Sequence, residues 1–220
     1  ALEACTRFAP KLNQLSQERK VNEIFKILSS ENPASIFKLM MQNDVLGHVL
    51  QGYNNLSRLG RLTKWDRDDR DPVRRLAAFL DLGPDDTKKM VRPLNLSKAI
   101  IDRLVRLSRT LPIDPSSDIS LLKRVLYEVR EENFRDAVYF QWSKEERSDD
   151  SAWKNLLNFP NCWSPPIFPL SGSDALSLGF KGKSVGQSLK KIEDWWIENE
   201  FSPSKEACLL ELSKISTINN

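Results

Sequence analysis

Near its start the chain reads Leu15-Ser16-Gln17-Glu18-Arg19-Lys20-Val21-Asn22-Glu23-Ile24, followed by Phe25-Lys26-Ile27-Leu28. Its apolar residues recur at the three- and four-residue spacing of one helix face, namely Val21, Ile24, Phe25 and Leu28. Ser16 precedes them as an N-cap, since its hydroxyl can accept a hydrogen bond from a first-turn amide. The carboxylate of Glu18 favours the same start, because it complements the positive end of the helix dipole. The stretch therefore predicts a capped amphipathic helix.

Composition extends this prediction to the rest of the chain. The protein has 220 residues, of which 40% are apolar and 29% charged, enough for one or two globular cores. Eight glycines are few for this length, and the alternation typical of strands is scarce. We expect an all-α fold built as an array of short packed helices. No apolar run approaches 18 residues and no signal peptide is evident, so we expect a cytoplasmic protein with no membrane partner.

Polar residues before prolines or apolar runs mark where the helices begin. Helices are predicted to start at Asn32-Pro33, at Asp71-Pro72, at Ser97 and near Ser117 or Asp118. Their predicted ends are Gly83-Pro84, Pro112 and, for a later helix, about Leu157.

Four prolines between Phe159 and Leu170 indicate an extended connector, since each proline lacks an amide donor and restrains the residue before it. We predict three segments, with bounds 1–52, 53–158 and 159–220.

Basic residues are concentrated in the middle of the chain. Residues 53–110 contain 14 Lys and Arg but only 8 Asp and Glu. This cluster could neutralise RNA phosphates; alternatively, its arginines pair with nearby aspartates. The cluster includes Arg58, Arg61, Lys64, Arg67, Arg70, Arg74, Arg75 and Arg92, and then Arg103, Arg106 and Arg109 at intervals of three along a predicted helix. The nearby aspartates are Asp66, Asp68, Asp69, Asp71 and Asp102.

Three motifs carry a family resemblance. The block "LS-x-ER-x-x-x-E" at residues 15–23 resembles the neck of class II tRNA nucleotidyltransferases (CCA-adding enzymes) and bacterial poly(A) polymerases. The run Asp71-Pro72-Val73-Arg74-Arg75-Leu76-Ala77-Ala78 is similar to the opening of the body in alphaproteobacterial-type members. The glycine-rich segment from Pro169 to Trp196 resembles the family's tail. The chain therefore looks like the neck, body and tail, without the catalytic head; Ala1 in place of Met suggests an excised fragment.

The resemblance implies a function and a set of site residues. The parent enzyme would add CMP and AMP to the tRNA 3′ end with Mg²⁺, CTP and ATP, while this part holds the acceptor and T-arm. Glu18, Arg19 and Glu23 would brace the helix that reads the nucleotide. Lys181, Lys183 and Ser184, at a glycine-rich helix start, join Arg103, Arg106 and Arg109 as candidate phosphate contacts.

We assign no catalytic residue and no metal site to the chain. Asp66-Arg67-Asp68-Asp69 has the letters of a metal-binding carboxylate pair, but no strand to position them, which favours a solvated charge run. Gly182-Lys183-Ser184 lacks the P-loop spacing. His48 is the only histidine, so we expect a partly buried structural residue, and we expect Cys5, Cys162 and Cys208 to be reduced.

Two alternatives stay open at this point. The parent could be a poly(A) polymerase, because residues that select C and A are not in this chain. The chain could also be a stand-alone helical module that binds a protein partner. The sequence does not decide the oligomeric state.

Overall fold

The computed structural model describes residues 2–50, 52, 55–147 and 149–218. Ala1 lies outside them. Within this part the protein is all-α, as predicted, with α-helices and short 3-10 turns and no strand. The helices are α1 (Leu2–Phe8), α2 (Gln17–Leu28), α3 (Pro33–Gln42), α4 (Leu56–Trp65), α5 (Pro72–Leu80), α6 (Pro84–Val91), α7 (Lys98–Leu107), α8 (Ile119–Trp142), α9 (Asp150–Cys162), α10 (Gly172–Ser177), α11 (Lys183–Glu198) and α12 (Lys205–Ile218). The 3-10 turns are Ala9–Gln14, Leu46–His48 and Arg92–Leu94.

The predicted helix starts are confirmed by their caps. In each case a side-chain oxygen accepts a hydrogen bond from the amide three residues on, which supplies a partner for one of the free first-turn donors. The cap residues are Ser16 for α2, Asn32 for α3, Asp71 for α5, Ser97 for α7 and Asp118 for α8.

The predicted helix ends are less accurate. Helix α5 stops at Leu80 because Asp81 adopts a left-handed conformation (φ 48°), and Gly83-Pro84 instead opens α6. Helix α7 ends at Leu107, well before Pro112. Helix α9 continues through Pro160 to Cys162, so the extended connector begins later than predicted. Pro160 is buried near the helix end, where apolar packing offsets the one lost hydrogen bond.

The chain forms two compact units. The first contains residues 1–117 and 129–160, so the predicted segments 1–52 and 53–158 contribute to one unit. The second contains residues 118–128 and 161–220. Helix α8 supplies residues to both units, and it is interrupted at Arg130, whose φ of 70° is not helical.

Each unit has its own apolar core. The core of the first unit contains residues of helices α2, α3, α4, α5 and α7. The fully buried side chains include Leu28, Phe37, Leu62, Leu76 and Leu104. The core of the second unit is rich in aromatic rings. Trp196 lies at its centre and packs edge-on against Tyr127, Phe168 and Phe201.

Candidate nucleic-acid interface

Several arginines of the basic cluster are buried in the first unit rather than exposed. Arg58, Arg74 and Arg75 are 2%, 4% and 1% exposed, respectively. A buried guanidinium requires paired carboxylates or carbonyl acceptors, because the loss of hydration is otherwise too costly. Each of the three has such partners.

Arg75 connects three helices. Its Nε and Nη2 bond both carboxylate oxygens of the buried Asp66 at 2.7–3.0 Å. Its Nη1 donates to the carbonyl oxygens of Leu28 (2.6 Å) and Ser30 (2.7 Å), at the end of α2. Asp66 caps the end of α4. Arg75, in the run from Asp71 to Ala78 that resembles the opening of the family's body, therefore fixes α2 and α4 against α5.

Arg58 makes a comparable set of contacts at the end of α8. Its Nε donates to the hydroxyl of Ser143 (3.0 Å) and its Nη2 to the carbonyl of Phe140 (2.8 Å), while Nη1 pairs with Asp81. The guanidinium also stacks 3.7 Å over the Phe140 ring. Burial lowers the pKa of Arg58, and the charge of Asp81 opposes this shift.

Asp136 holds two arginines at once. This carboxylate is 3% exposed and accepts hydrogen bonds from Arg74 Nε at 2.9 Å and from Arg103 Nε at 2.8 Å. Arg74 also pairs with Asp69, and Arg103 with Asp71, each at 2.8 Å. Hydrogen bonds with Asp136 raise the pKa of Arg103 above its ordinary value. The predicted phosphate contact Arg103 is thus partly buried and held by two aspartates.

These contacts correct two expectations. Asp66 is buried and paired, so residues 66–69 are not wholly a solvated charge run. The alternative interpretation of the basic cluster applies to its buried and partly buried members, because Arg74, Arg75 and Arg103 pair with aspartates. Asp81 and Asp136 are further partners that sequence proximity did not suggest.

Arg106 and Arg109 differ from Arg103 in being exposed. Arg106 lies in the last turn of α7, whereas Arg109 follows the end of the helix. The three arginines therefore do not form one continuous row on a helix. The other exposed bases of residues 53–110 are Lys64, Arg67, Arg70, Lys88, Lys89, Arg92 and Lys98.

The glycine-rich turn of the second unit opens α11 as predicted. Gly182 is the N-cap residue, with a φ of 55° that favours glycine, and Lys181, Lys183 and Ser184 are all exposed. The Ser184 hydroxyl donates to the Lys181 carbonyl (2.8 Å) and accepts from the Lys181 amide (3.0 Å). The two ammonium groups remain at the surface beside the start of the helix.

Glu18, Arg19 and Glu23 lie on the exposed side of α2. The Glu23 carboxylate is 2.7 Å from Lys26 Nζ. Among the described residues, no side-chain bond joins Arg19 to Glu18 or Glu23. The bracing role of these three residues stays a prediction.

The opposite side of α2 contains a residue that the sequence analysis missed. Lys20 is 7% exposed and lies on the buried stripe with Ile24 and Leu28. Its Nζ donates to the carbonyl oxygen of the partly buried His48 at 3.2 Å. A lysine four residues before Ile24, where the helical pattern calls for an apolar residue, was the signal in the sequence.

Comparison with known proteins gives one family match. Residues 1–56 match the family described as "Probable RNA and SrmB- binding site of polymerase A". This range includes α2, with Glu18, Arg19, Lys20 and Glu23.

Three curated relatives are similar to the chain. The "CCA tRNA nucleotidyltransferase 1, mitochondrial" of Mus musculus is 24% identical over 97% of this chain and 49% of its own length. That of Danio rerio is 40% identical over 27% of this chain and 14% of its own length. The "Uncharacterized 28 kDa protein in petA 5'region" of Rhodospirillum rubrum is 28% identical over 43% of this chain and 40% of its own length. The chain spans about half the length of these relatives or less.

The resemblance inferred from the motifs is therefore confirmed. This chain is related to the C-terminal part of the CCA-adding enzyme and poly(A) polymerase family. Its alphaproteobacterial type stays a prediction.

Within the described residues, no helix is both long and apolar enough to cross a membrane, and no group of three or more His, Cys, Asp or Glu side chains is placed to hold a metal.

Proposed function

We propose that the chain is the RNA-binding part of a tRNA nucleotidyltransferase that adds CCA to the tRNA 3′ end in the cytoplasm. The observation that carries this proposal is the extent of the similarity to the mouse CCA tRNA nucleotidyltransferase. The alignment covers 97% of the chain and so includes both helical units, not the α2 motif alone. A poly(A) polymerase parent is the alternative that the family description leaves open.

In this proposal, catalysis belongs to the head of the parent enzyme, together with Mg²⁺, CTP and ATP. Glu18, Arg19 and Glu23, on the exposed side of α2, position the part of the head that reads the nucleotide. We expect this chain by itself to add no nucleotide to tRNA that lacks its CCA end.

The RNA surface proposed here consists of exposed bases in each unit. Arg106 and Arg109 supply charges on the first unit, and Lys181 and Lys183, beside Ser184, on the second. These residues would contact phosphates of the acceptor and T-arm, which are recognised by duplex shape more than by base sequence. We omit Arg103 from this surface because Asp71 and Asp136 already bind its guanidinium.

The test measures binding of the intact chain to a fluorescent acceptor–T-arm minihelix over a series of salt concentrations. The variant carries charge reversals at Arg106, Arg109, Lys181 and Lys183. We expect a large loss of affinity and a shallower dependence of log K on log salt, by up to about 0.9 for each phosphate contact removed.

A control of equal charge change reverses four other exposed lysines, namely Lys38 and Lys154 on the first unit and Lys191 and Lys214 on the second. It should bind nearly as tightly as wild type. Equal binding by the fourfold variant would reject the proposed surface. Preference for single-stranded poly(A) over the minihelix would favour the polymerase alternative, and absence of RNA binding by the wild-type chain would favour a protein-interaction module.

A further inference from the structure

A cleft in the first unit lies against the inner side of α2. Its volume is about 760 Å³, within the range that holds a nucleotide-sized ligand. It is separate from the proposed RNA surface, since none of Arg106, Arg109, Lys181 and Lys183 lines it. Among the described residues, its lining comes from the 3-10 turn Ala9–Gln14, α2, residues 48–50, Leu82, α6 and the turn at Arg92–Leu94.

The charge in this cleft is predominantly positive. Lys20 is buried in its wall, and Lys89 stands at its exposed rim. Asp86 is the carboxylate among the described lining residues. Its Oδ1 lies 3.5 Å from Lys89 Nζ, and both residues belong to α6. The single acceptor of Lys20 among the described residues is the neutral carbonyl of His48. Among the described residues, the other two donors of that ammonium have no protein acceptor, and Lys20 lines the cleft.

A buried ammonium with one neutral acceptor is costly to the fold, and its charge would be balanced by an anion. Lysine provides a compact point charge of the kind that binds phosphate.

The rest of the lining suits an organic group attached to that phosphate. Val49, Leu82, Met90 and Pro93 form an apolar side, on which a planar base could pack. Asn13 and Gln17 add amide groups that can donate to and accept from a base edge.

We propose that this cleft binds a nucleotide, with its phosphate on Lys20 and Lys89 and its base against the apolar side. The nucleotide is either free in solution or a unit of an RNA strand. This site does not depend on the function proposed above.

The first experiment uses the wild-type chain and NMR titration with AMP and CMP. His48 is the only histidine and Met90 is one of three methionines, so their side-chain signals can be resolved in the unmodified protein. We expect saturable shifts of both signals. Adenosine, which lacks the phosphate, should bind at least about tenfold more weakly than AMP, since a charged hydrogen bond is worth about 1.5–3 kcal/mol.

The second experiment substitutes the two lysines. Lys20→Met keeps the length of the side chain and removes its charge, so AMP binding should weaken about tenfold or more. Lys89→Met should weaken it less, because this side chain is exposed. Lys38→Met, on the exposed side of α3, is the matched control and should bind AMP like wild type.

Lys20→Met should also unfold at the same or a higher temperature than wild type, because it removes the cost of the buried charge. Repeating the titration with a short oligonucleotide in place of AMP distinguishes a free nucleotide from a unit of an RNA strand. Binding of either probe that depends on Lys20 supports the proposal. Absence of shifts at His48 and Met90 with every phosphate-bearing probe overturns it, even if Lys20→Met does not fold. Equal binding of adenosine and AMP also overturns it.

Discussion

The two units hold their helices together by different means. In the first unit, the helices surrounding the apolar core are connected by buried guanidinium–carboxylate pairs, such as those from Arg74 to Asp136 and from Arg75 to Asp66. In the second unit, the corresponding role belongs to aromatic rings around Trp196, with few charges inside. Directional ion pairs fix the angle between helices, but one missing partner leaves an uncompensated charge. Aromatic packing is less directional, so a lost ring costs buried area and packing rather than an unpaired charge.

Asp136→Asn is expected to destabilise the protein most. The amide cannot balance the charges of Arg74 and Arg103, so the first unit should lose about 3–5 kcal/mol of its free energy of unfolding. Hydrogen exchange read by peptide mass spectrometry can assign this loss to residues 1–117 and 129–160.

The control for Asp136→Asn is Glu131→Gln on the same helix. Glu131 is 61% exposed and pairs with Arg135 at the surface, so its loss should cost less than about 1 kcal/mol. If the two substitutions cost the same, the pairs around Asp136 do not stabilise the first unit more than surface pairs do.

A smaller effect is expected for Trp196→Phe in the second unit. Phenylalanine leaves a gap and removes the hydrogen bond from Trp196 Nε1 to the Pro203 carbonyl at 3.1 Å. The expected cost is about 1–3 kcal/mol, measured by the same exchange experiment over residues 161–218. Trp195→Phe, at the half-buried neighbouring position, should cost less.

Ionic strength distinguishes Trp196→Phe from Asp136→Asn. The cost of Trp196→Phe should stay constant from low to high ionic strength, because no charge is involved. A strong salt dependence would mean that the second unit also relies on ion pairs.

The smallest expected effect concerns Asp174, at the start of α10. Hydrogen bonds from the Ser171 hydroxyl and amide, and from Lys205, lower the pKa of Asp174 from 3.8 to about 2. Since the pKa is lower in the folded state, the bonds stabilise the second unit above pH 3.8, and this contribution is lost as the pH falls toward 2.

Asp174→Asn should therefore flatten the acid limb of the stability curve of the second unit between these pH values. Asp194→Asn, which removes an exposed carboxylate of a surface pair, should leave that limb unchanged. An unaltered acid limb in Asp174→Asn would show that the cap at Ser171 does not contribute to stability.

Local signals predicted the helix starts better than any other feature. Ser16, Asn32, Asp71 and Ser97 each cap the helix expected of them, because a cap depends on amides only three residues away. The left-handed residue Asp81 is less evident in sequence, since the clearer breaker Gly83-Pro84 follows closely.

The burial of the arginines could not be predicted from neighbours in the chain. Asp136 is 62 residues from Arg74 and 33 from Arg103, so their pairing exists only once α5, α7 and α8 have packed. A charge-rich stretch with distant partners looks solvated when it is considered alone. Lys20 was different, because its place on an apolar stripe was visible in the sequence.

The second unit is discontinuous along the chain, because it includes residues 118–128, which precede the interruption of α8 at Arg130. Tyr127 belongs to this unit, where its hydroxyl donates to Glu193 at 2.6 Å and its ring packs on Trp196. A tail excised at the proline-rich connector would therefore lack part of its own core. Residues 118–128 are synthesised first, and they must stay free to pack with residues 161–218 before the second unit can complete its fold.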